Sequence, residues 1–280
     1  MNDIAIFDKT TFQCSRIITK SYSTSFTLGI KALHKKFHDP IYAIYGFVRC
    51  ADEIVDTFHT HDKKSLLKEF RAATYKSIEK GISLNPVLHA FQRVVHAYQI
   101  ENDLIEAFLR SMEMDLHQQV YSENLYDEYI YGSAEVVGLM CLRVFCEGND
   151  AQYQLLKTPA QKLGSAFQKV NFLRDIKSDY FDRGRVYFPG VNFEHFTPHD
   201  KKKIEKDIQE DFNAAYEGIL KLPRGAKLGV YLAYVYYLNL FQKIKSCPPS
   251  LIAHKRIRIP DKRKLVLFIQ TYFRYRFNYL

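Results

Sequence analysis

The chain has 280 residues, 47% of them hydrophobic and 25% charged, and a formal net charge of +9. That balance excludes a disordered tail, a fibrous repeat and a small disulfide-stapled module, and it supplies enough apolar residues for a large core. The positive excess fits a polyanionic partner, for which nucleic acid, anionic lipid headgroups and phosphorylated substrates are the candidates, or simple solubility.

Apolar residues recur at helical spacing along nearly the whole chain, and no alternating strand pattern stands out. The N-terminal MNDIAIFDKTTFQ carries acidic residues and no apolar stretch ahead of a cleavage site, so it does not read as a signal peptide. The spacing predicts helices over residues 10–22, 40–58, 63–80, 84–98 and 101–118. It continues with 123–147, 158–182, 198–221, 225–246 and 261–278. Thr158-Pro159 and Thr197-Pro198 each offer a hydroxyl N-cap followed by proline at the first helical position, and Asn85-Pro86 does the same. Breaks fall at Gly81, Gly148, Pro189-Gly190, Leu222-Pro223 and Pro248-Pro249. No run approaches the ~18 consecutive apolar residues of a membrane span, and no solenoid repeat or low-complexity linker divides the chain. The expectation is one all-α domain over residues 1–280. Cys14, Cys50, Cys141, Cys146 and Cys247 form no CxxC pair and are odd in number, which reads as reduced thiols in a cytoplasmic protein.

Two of these helices carry carboxylates in their most apolar parts. In YGFVRCADEIVDTF, Tyr45, Arg49, Asp52 and Asp56 are spaced 4, 3 and 4 apart and share one stripe. Ile44, Phe47, Val48, Ala51, Ile54, Val55 and Phe58 take the neighbouring arc and are expected to face a core. In NFLRDIKSDYFDRGRVYF and the residues before it, Gln168, Asn171, Asp175 and Asp179 form a second stripe among Phe167, Val170, Phe172, Leu173 and Ile176. Like charges four apart on a helix repel by roughly 0.2–0.5 kcal/mol, and a buried carboxylate is costly unless it is paired or binds a metal. Pairing with Arg49 and Arg174 is one explanation. The repetition of the pattern favours the other: two facing acidic helices that hold hard divalent ions, and through them phosphates.

The remaining features are read more plainly. His34 and His38 in HKKFH are four apart, as zinc ligands on a helix would be, but the intervening lysines and Asp39-Pro40 point to an exposed helix end. From Lys255 to Arg276 there are eight Lys or Arg and one acid, Asp261. This last helix is rich in aromatics, and it suits either an anionic membrane surface or a cap on the bundle made by Leu265, Leu267, Phe268, Tyr272 and Phe273. With Tyr and Phe so abundant, basic and aromatic residues interleave by composition alone, so no nucleic-acid partner is expected.

The two acidic segments, YAIYGFVRCADEIVD and QKVNFLRDIKSDYFDRGRVYFP, resemble the paired aspartate motifs of the squalene and phytoene synthase family. YSTSF at Tyr22–Phe26 resembles that family's N-terminal flap, and YIYGSAEVVG at Tyr129–Gly138 its mid-chain substrate helix. The resemblance implies an all-α isoprenoid synthase bundle around a deep central apolar cavity, with one acidic motif on each side of the mouth. It implies head-to-head joining of two isoprenoid diphosphates through a cyclopropylcarbinyl diphosphate. Asp52, Asp56, Asp175 and Asp179, with Asn171, would then be ligands of Mg²⁺, with Mn²⁺ the alternative. Arg49, Arg174 and Arg185 would contact phosphate, and Arg256 would reach the mouth. Phe26, Tyr45, Tyr129 and Tyr237 would line the cavity, Tyr129 counting with the aspartates as catalytic, and Gln168 would lie near the reacting carbons. Gly132, Ser133, Ala134 and Gly138 would make room for prenyl tails.

Three positions depart from the family pattern: Thr24 where a basic residue is common, Glu135 where a small one is usual, and one extra residue between Asp179 and Arg185. The resemblance leans to phytoene from geranylgeranyl diphosphate in carotenoid biosynthesis, with squalene or dehydrosqualene from farnesyl diphosphate as the alternative. No GxGxxG turn is present, and NADPH is not expected. A non-catalytic, membrane-associated assembly factor is the reading from another class, and it sits poorly with two intact acidic pairs. The implied location is the cytoplasm, with peripheral contact at the inner face of the cell membrane.

Overall fold

A computed structural model describes residues 3–117 and 120–277. The described elements are helical: α1 (Asp3–Tyr22), α2 (Thr24–Ala32), α3 (His38–Asp56), α4 (Lys63–Lys80), α5 (Pro86–Tyr98), α6 (Asn102–His117) and α7 (Glu123–Ile130). A π-helical turn, Tyr131–Glu135, joins α7 to α8 (Val136–Cys146). There follow α9 (Asp150–Ile176), a second π-helical segment (Lys177–Asp182), α10 (Pro198–Lys221), α11 (Arg224–Lys245), α12 (Pro249–His254) and α13 (Asp261–Arg276). No strand longer than an isolated bridge, Val120 with Val186, occurs among the described residues.

The local chemistry explains most boundaries. Asn85 caps α5 through the N–H groups of Val87 and Leu88, and Thr197 and Asp200 form a reciprocal capping box at the start of α10. Gly81 ends α4 with a φ of +66, the left-handed conformation that glycine adopts without penalty. Thr158-Pro159 does not start a helix as expected. Asn149 caps α9, and Pro159 lies inside it, where its ring packs against Gly218 of α10. A Cβ on Gly218 would come within 2.2 Å of the Pro159 ring, so the missing N–H of Pro159 is tolerated as the price of close helix packing. Helices α2 and α12 escaped prediction because each is short and bounded by polar or proline residues. The predicted ends at Gln118 and Asn278 lie outside the described residues.

The core runs through the middle of the bundle, with Phe47, Phe91, Phe108, Leu139, Val170, Phe212 and Phe241 fully or nearly fully buried. Phe47 stacks on Phe91 at 3.9 Å between centroids. Phe58, expected to face that core, is 38% exposed, because α3 ends at Asp56 and its helical register is lost beyond. The stretch Glu123–Cys146 is apolar enough, by length and composition, to cross a membrane, but more than half of its most apolar window is buried in the bundle. His34 bonds the Lys36 N–H, and His38 lies 2.9 Å from the Leu33 carbonyl, so both serve the turn before α3.

Candidate active site

The last turns of α3 bring Arg49, Asp52 and Asp56 to one end of the bundle, each half-buried beside the apolar face that anchors the helix. Arg49 forms ion pairs with Asp52 and Glu53 and lies 4.3 Å from the centre of the Tyr22 ring. Burial, together with the nearby Asp56, pushes the Asp52 carboxyl up to about 6. Glu53, set aside as a ligand at the sequence level, is held below the usual glutamate range despite some burial, through hydrogen bonds to Thr57 and Arg49.

The second acidic motif crosses from the end of α9 into the π-helical segment Lys177–Asp182. A π turn inserts an extra residue per turn and swings the side chains that follow. Asp175 sits on the regular helix, where Arg174 pairs with it, and Arg256 from beyond α12 reaches it at 2.7 Å. Asp179 sits on the π segment, and its carbonyl accepts from the Arg185 N–H at 2.7 Å. Burial, reinforced by Asp175, pushes the Asp179 carboxyl up to about 7.

The two motifs meet. Arg183 lies 3.4 Å from Asp56 and 3.2 Å from Asp179, one guanidinium bridging both. Arg185 pairs with Asp56 at 3.0 Å and donates to the Asp115 carbonyl at 3.0 Å. The spacing that made Arg185 a departure is absorbed by the turn at Gly184, whose φ is +70.

Beneath these arginines lies a group that the sequence reading did not single out. Asp115 of α6 is buried and accepts from Tyr129 at 2.7 Å and Tyr187 at 3.1 Å. Burial raises its carboxyl to about 6, while Arg185 and the Tyr129 hydroxyl pull it back. Only its position on the buried face of α6 could have signalled it, since a single Asp in an amphipathic helix carries no motif. Arg183 was missed as well: four residues beyond Asp179 it continues the acidic stripe, and only its ion pairs with Asp56 and Asp179 give it a place in the site.

Inward from the motifs the bundle encloses an apolar cavity of about 410 Å³. Phe26, Tyr45, Tyr129, Gln168 and Tyr237 line it, together with Asn171, Arg49 and Asp52. Asp56, Asp175 and Asp179 stand outside the lining. Phe26 lies 5.6 Å from Tyr45 and 6.3 Å from Tyr237 between ring centres, Phe167 stacks on Tyr237 at 4.0 Å, and the Tyr237 hydroxyl donates to Asn171 at 3.2 Å. Ser133, Ala134 and Gly138 line the wall. Gly132 does not: a Cβ there would lie 2.4 Å from the Ala107 carbonyl, so it serves the close approach of α6. Glu135 accepts from Gln161 at 3.0 Å, and Thr24 accepts from Lys264 at 3.0 Å.

A profile described as squalene/phytoene synthase matches residues 19–263. The chain belongs to the squalene/phytoene synthase family. A 15-cis-phytoene synthase of a Synechocystis species is 27% identical over 91% of the chain and 82% of its own length. A 4,4'-diapophytoene synthase of Staphylococcus haemolyticus is 26% identical over 71% of the chain and 70% of its own length. The fold matches that of a ligand-bound dehydrosqualene synthase crystal structure with a TM-score of 0.79, at 22% identity over 95% of the chain and 96% of the other. Members of the squalene/phytoene synthase family are divalent-metal-dependent prenyltransferases, for which isoprenoid diphosphates are the fitting substrates.

The residues present fit a hard divalent cation. The donor set is all oxygen, and a single cationic group, Arg183, already spans the gap between Asp56 and Asp179. Among the described residues no three acidic, His or Cys side chains close around a point by themselves. A site that relies on one or two carboxylates plus substrate phosphate and water has the same sparse protein ligation.

Proposed function

We propose that this enzyme joins two geranylgeranyl diphosphates head to head to give phytoene. Asp52 and Asp56 on one side and Asp175 and Asp179 with Asn171 on the other would hold Mg²⁺. Bound there, the metal supplies charge neutralisation for the departing diphosphate. Arg49, Arg174 and Arg185, paired with Asp52, Asp175 and Asp56, offer guanidinium forks to the phosphate oxygens. The allylic cation left behind needs a dry pocket with π faces. The rings of Phe26, Tyr45, Tyr129 and Tyr237 line such a pocket, and Gln168 stands at its polar end. Asp115 holds the Tyr129 hydroxyl and, through its carbonyl, Arg185, so it positions two of these groups at once. No reductant is required, since the rearranged cation loses a proton.

The observation that carries this reading is the bridging of the two aspartate pairs by one guanidinium at the mouth of an aromatic-lined cavity. The choice of geranylgeranyl diphosphate is supported by the phytoene synthase relative that spans most of the chain. The diapophytoene synthase relative favours farnesyl diphosphate as the second reading. Incubation of the purified protein with each diphosphate and Mg²⁺, followed by extraction of the hydrocarbon, decides between them. Phytoene from the longer substrate at the higher rate is expected. Faster turnover of farnesyl diphosphate would replace this reading by the second, and consumption of neither would overturn both.

A further inference from the structure

A single nitrogen joins the two aspartate motifs. Nη1 of Arg183 lies 3.4 Å from Asp56 Oδ2 and 3.2 Å from Asp179 Oδ1. The other Asp56 oxygen is taken by Arg185 at 3.0 Å. A divalent cation held by both carboxylates would contend with this nitrogen for the same oxygens, so guanidinium and metal exclude one another there. The extra residue between Asp179 and Arg185 creates the contest, because it brings a second arginine to Asp179 at i, i+4 while Arg185 passes on to Asp115.

The way each arginine is held decides which of them yields. Arg185 pairs with Asp56 and donates to the Asp115 carbonyl at 3.0 Å, and its backbone N–H donates to the Asp179 carbonyl at 2.7 Å. Only 10% of its side chain is exposed. Arg183 meets its two carboxylates at longer range and keeps 35% of its side chain exposed, the setting in which ion pairs are weak. Gly184 follows it with a φ of +70, and a Cβ built there would meet nothing within 4 Å, so the turn has room to move.

A displaced guanidinium needs an anion, and a further cation marks where one fits. The Lys63 ammonium donates to the Val55 carbonyl at 2.8 Å, on the last turn of α3, and lies 3.0 Å from Nδ1 of His59. Burial and then Arg185 hold its pKa below the usual lysine value, against the pull of Asp56. Once a divalent cation neutralises Asp56 and Asp179, Lys63, Arg183 and Arg185 are left on this flank with more positive charge than carboxylate.

We infer that Arg183 is a gate with two exclusive partners: it competes with the divalent cation for Asp56 and Asp179, and when displaced it turns, beside Lys63, to the diphosphate. Metal and diphosphate then bind together, each raising the affinity for the other by the same factor. The inference rests on the metal-diphosphate reading above and adds to it that metal alone binds against an internal competitor.

Two titrations test this without turnover: Mn²⁺ alone, followed by electron paramagnetic resonance, and preformed Mn²⁺-pyrophosphate, followed by calorimetry. The wild type should bind the complex at least tenfold more tightly than Mn²⁺ alone. Arg183→Gln should bind Mn²⁺ alone about tenfold more tightly than wild type, the scale of two partly exposed ion-pair contacts. The same variant should bind the complex about tenfold more weakly, having lost a charged phosphate partner. Arg183→Lys keeps the charge without the fork and should fall between the two in both titrations. Lys63→Gln should leave Mn²⁺ alone unchanged and weaken only the complex, by about fivefold. The opposite signs are the diagnostic, since damage to the fold would weaken both affinities. Both falling together in the Arg183 variants, or neither moving, overturns the gate. Should the glutamine variant lose its circular dichroism spectrum, the lysine variant is judged by the same signs. Wild-type protein that binds no Mn²⁺ even with pyrophosphate overturns the metal-diphosphate reading itself, an outcome distinct from failure of the gate.

Discussion

Replacing Asp179 by asparagine should make the metal-free protein more stable while destroying its activity. The Asp179 carboxyl is raised from 3.8 to about 7, first by burial and then by Asp175. Between those values the folded protein holds a proton that the unfolded chain has released, so stability falls as pH rises from about 4 to about 7 and stays lowered above. At about 1.4 kcal/mol per pH unit, the ionised side chain costs the folded state up to roughly 4 kcal/mol at pH 8. Asparagine keeps the shape and removes the charge. It gives up the 3.2 Å contact with Arg183, a loss of about 1 kcal/mol. A net gain of roughly 1–3 kcal/mol is expected at pH 8, fading toward pH 4, where the wild-type carboxyl is itself neutral. Urea denaturation at pH 8 and pH 4, in the presence of a chelator, measures both ends. Adding Mg²⁺ and pyrophosphate should stabilise the wild type more than the variant, since ligands that bind only the folded state raise stability by mass action. A variant less stable than wild type at pH 8, or one gaining as much from Mg²⁺ and pyrophosphate, would refute the reasoning.

Other perturbations separate the roles of neighbouring groups. Asp52→Asn and Asp175→Asn should each lower hydrocarbon formation by about a thousandfold, the scale of losing several kcal/mol of charge stabilisation, with the far-ultraviolet circular dichroism spectrum unchanged. Asp115→Asn should lower turnover by about tenfold or more, as Tyr129 and Arg185 lose their common charged anchor, with the far-ultraviolet circular dichroism spectrum unchanged. Gly132→Ala drives a methyl to 2.4 Å from the Ala107 carbonyl; a loss of about 1–3 kcal/mol is expected from forced separation of α6 and the π turn, visible as a lower melting temperature.

The helical bundle was legible because its apolar periodicity is strong over long segments: the helices expected over 63–80, 84–98, 101–118, 198–221 and 225–246 end within two residues of those bounds, whereas α1 begins seven residues and α9 eight residues before the expected start. What failed shares one cause: the decision was made by tertiary contact. Pro159 carries a start signal, yet α9 passes through it because the packing against Gly218 outweighs one missing hydrogen bond. The site was legible as two stripes, since aspartates four apart in apolar helices are costly and therefore informative. Their mutual orientation was not. The π segment at Lys177–Asp182 shifts Asp179 and Arg183 relative to any regular helix, and no residue in KSDYFD announces that shift. Asp115 was hidden for the opposite reason, being one unremarkable acid whose meaning comes wholly from Tyr129, Tyr187 and Arg185 arriving from elsewhere.

The pairing of every motif aspartate with an arginine invites the simpler view that these are structural ion pairs. The distribution of charge argues otherwise. A pair built for stability would be one acid to one base, with both partners held near their usual ionisation. Here Asp52 and Asp179 are pushed up to about 6 and about 7 despite arginines beside them, because each also faces a second aspartate in a dry setting. Arg183 divides one charge between Asp56 and Asp179, and Arg185 divides another between Asp56 and Asp115. Carboxylates crowded beyond what the arginines satisfy seek cations, and arginines gathered beside them seek an anion. A metal diphosphate answers both demands in one binding event, and it does so at the mouth of a cavity lined by Phe26, Tyr45, Tyr129 and Tyr237, where the apolar tail of the same molecule can be buried.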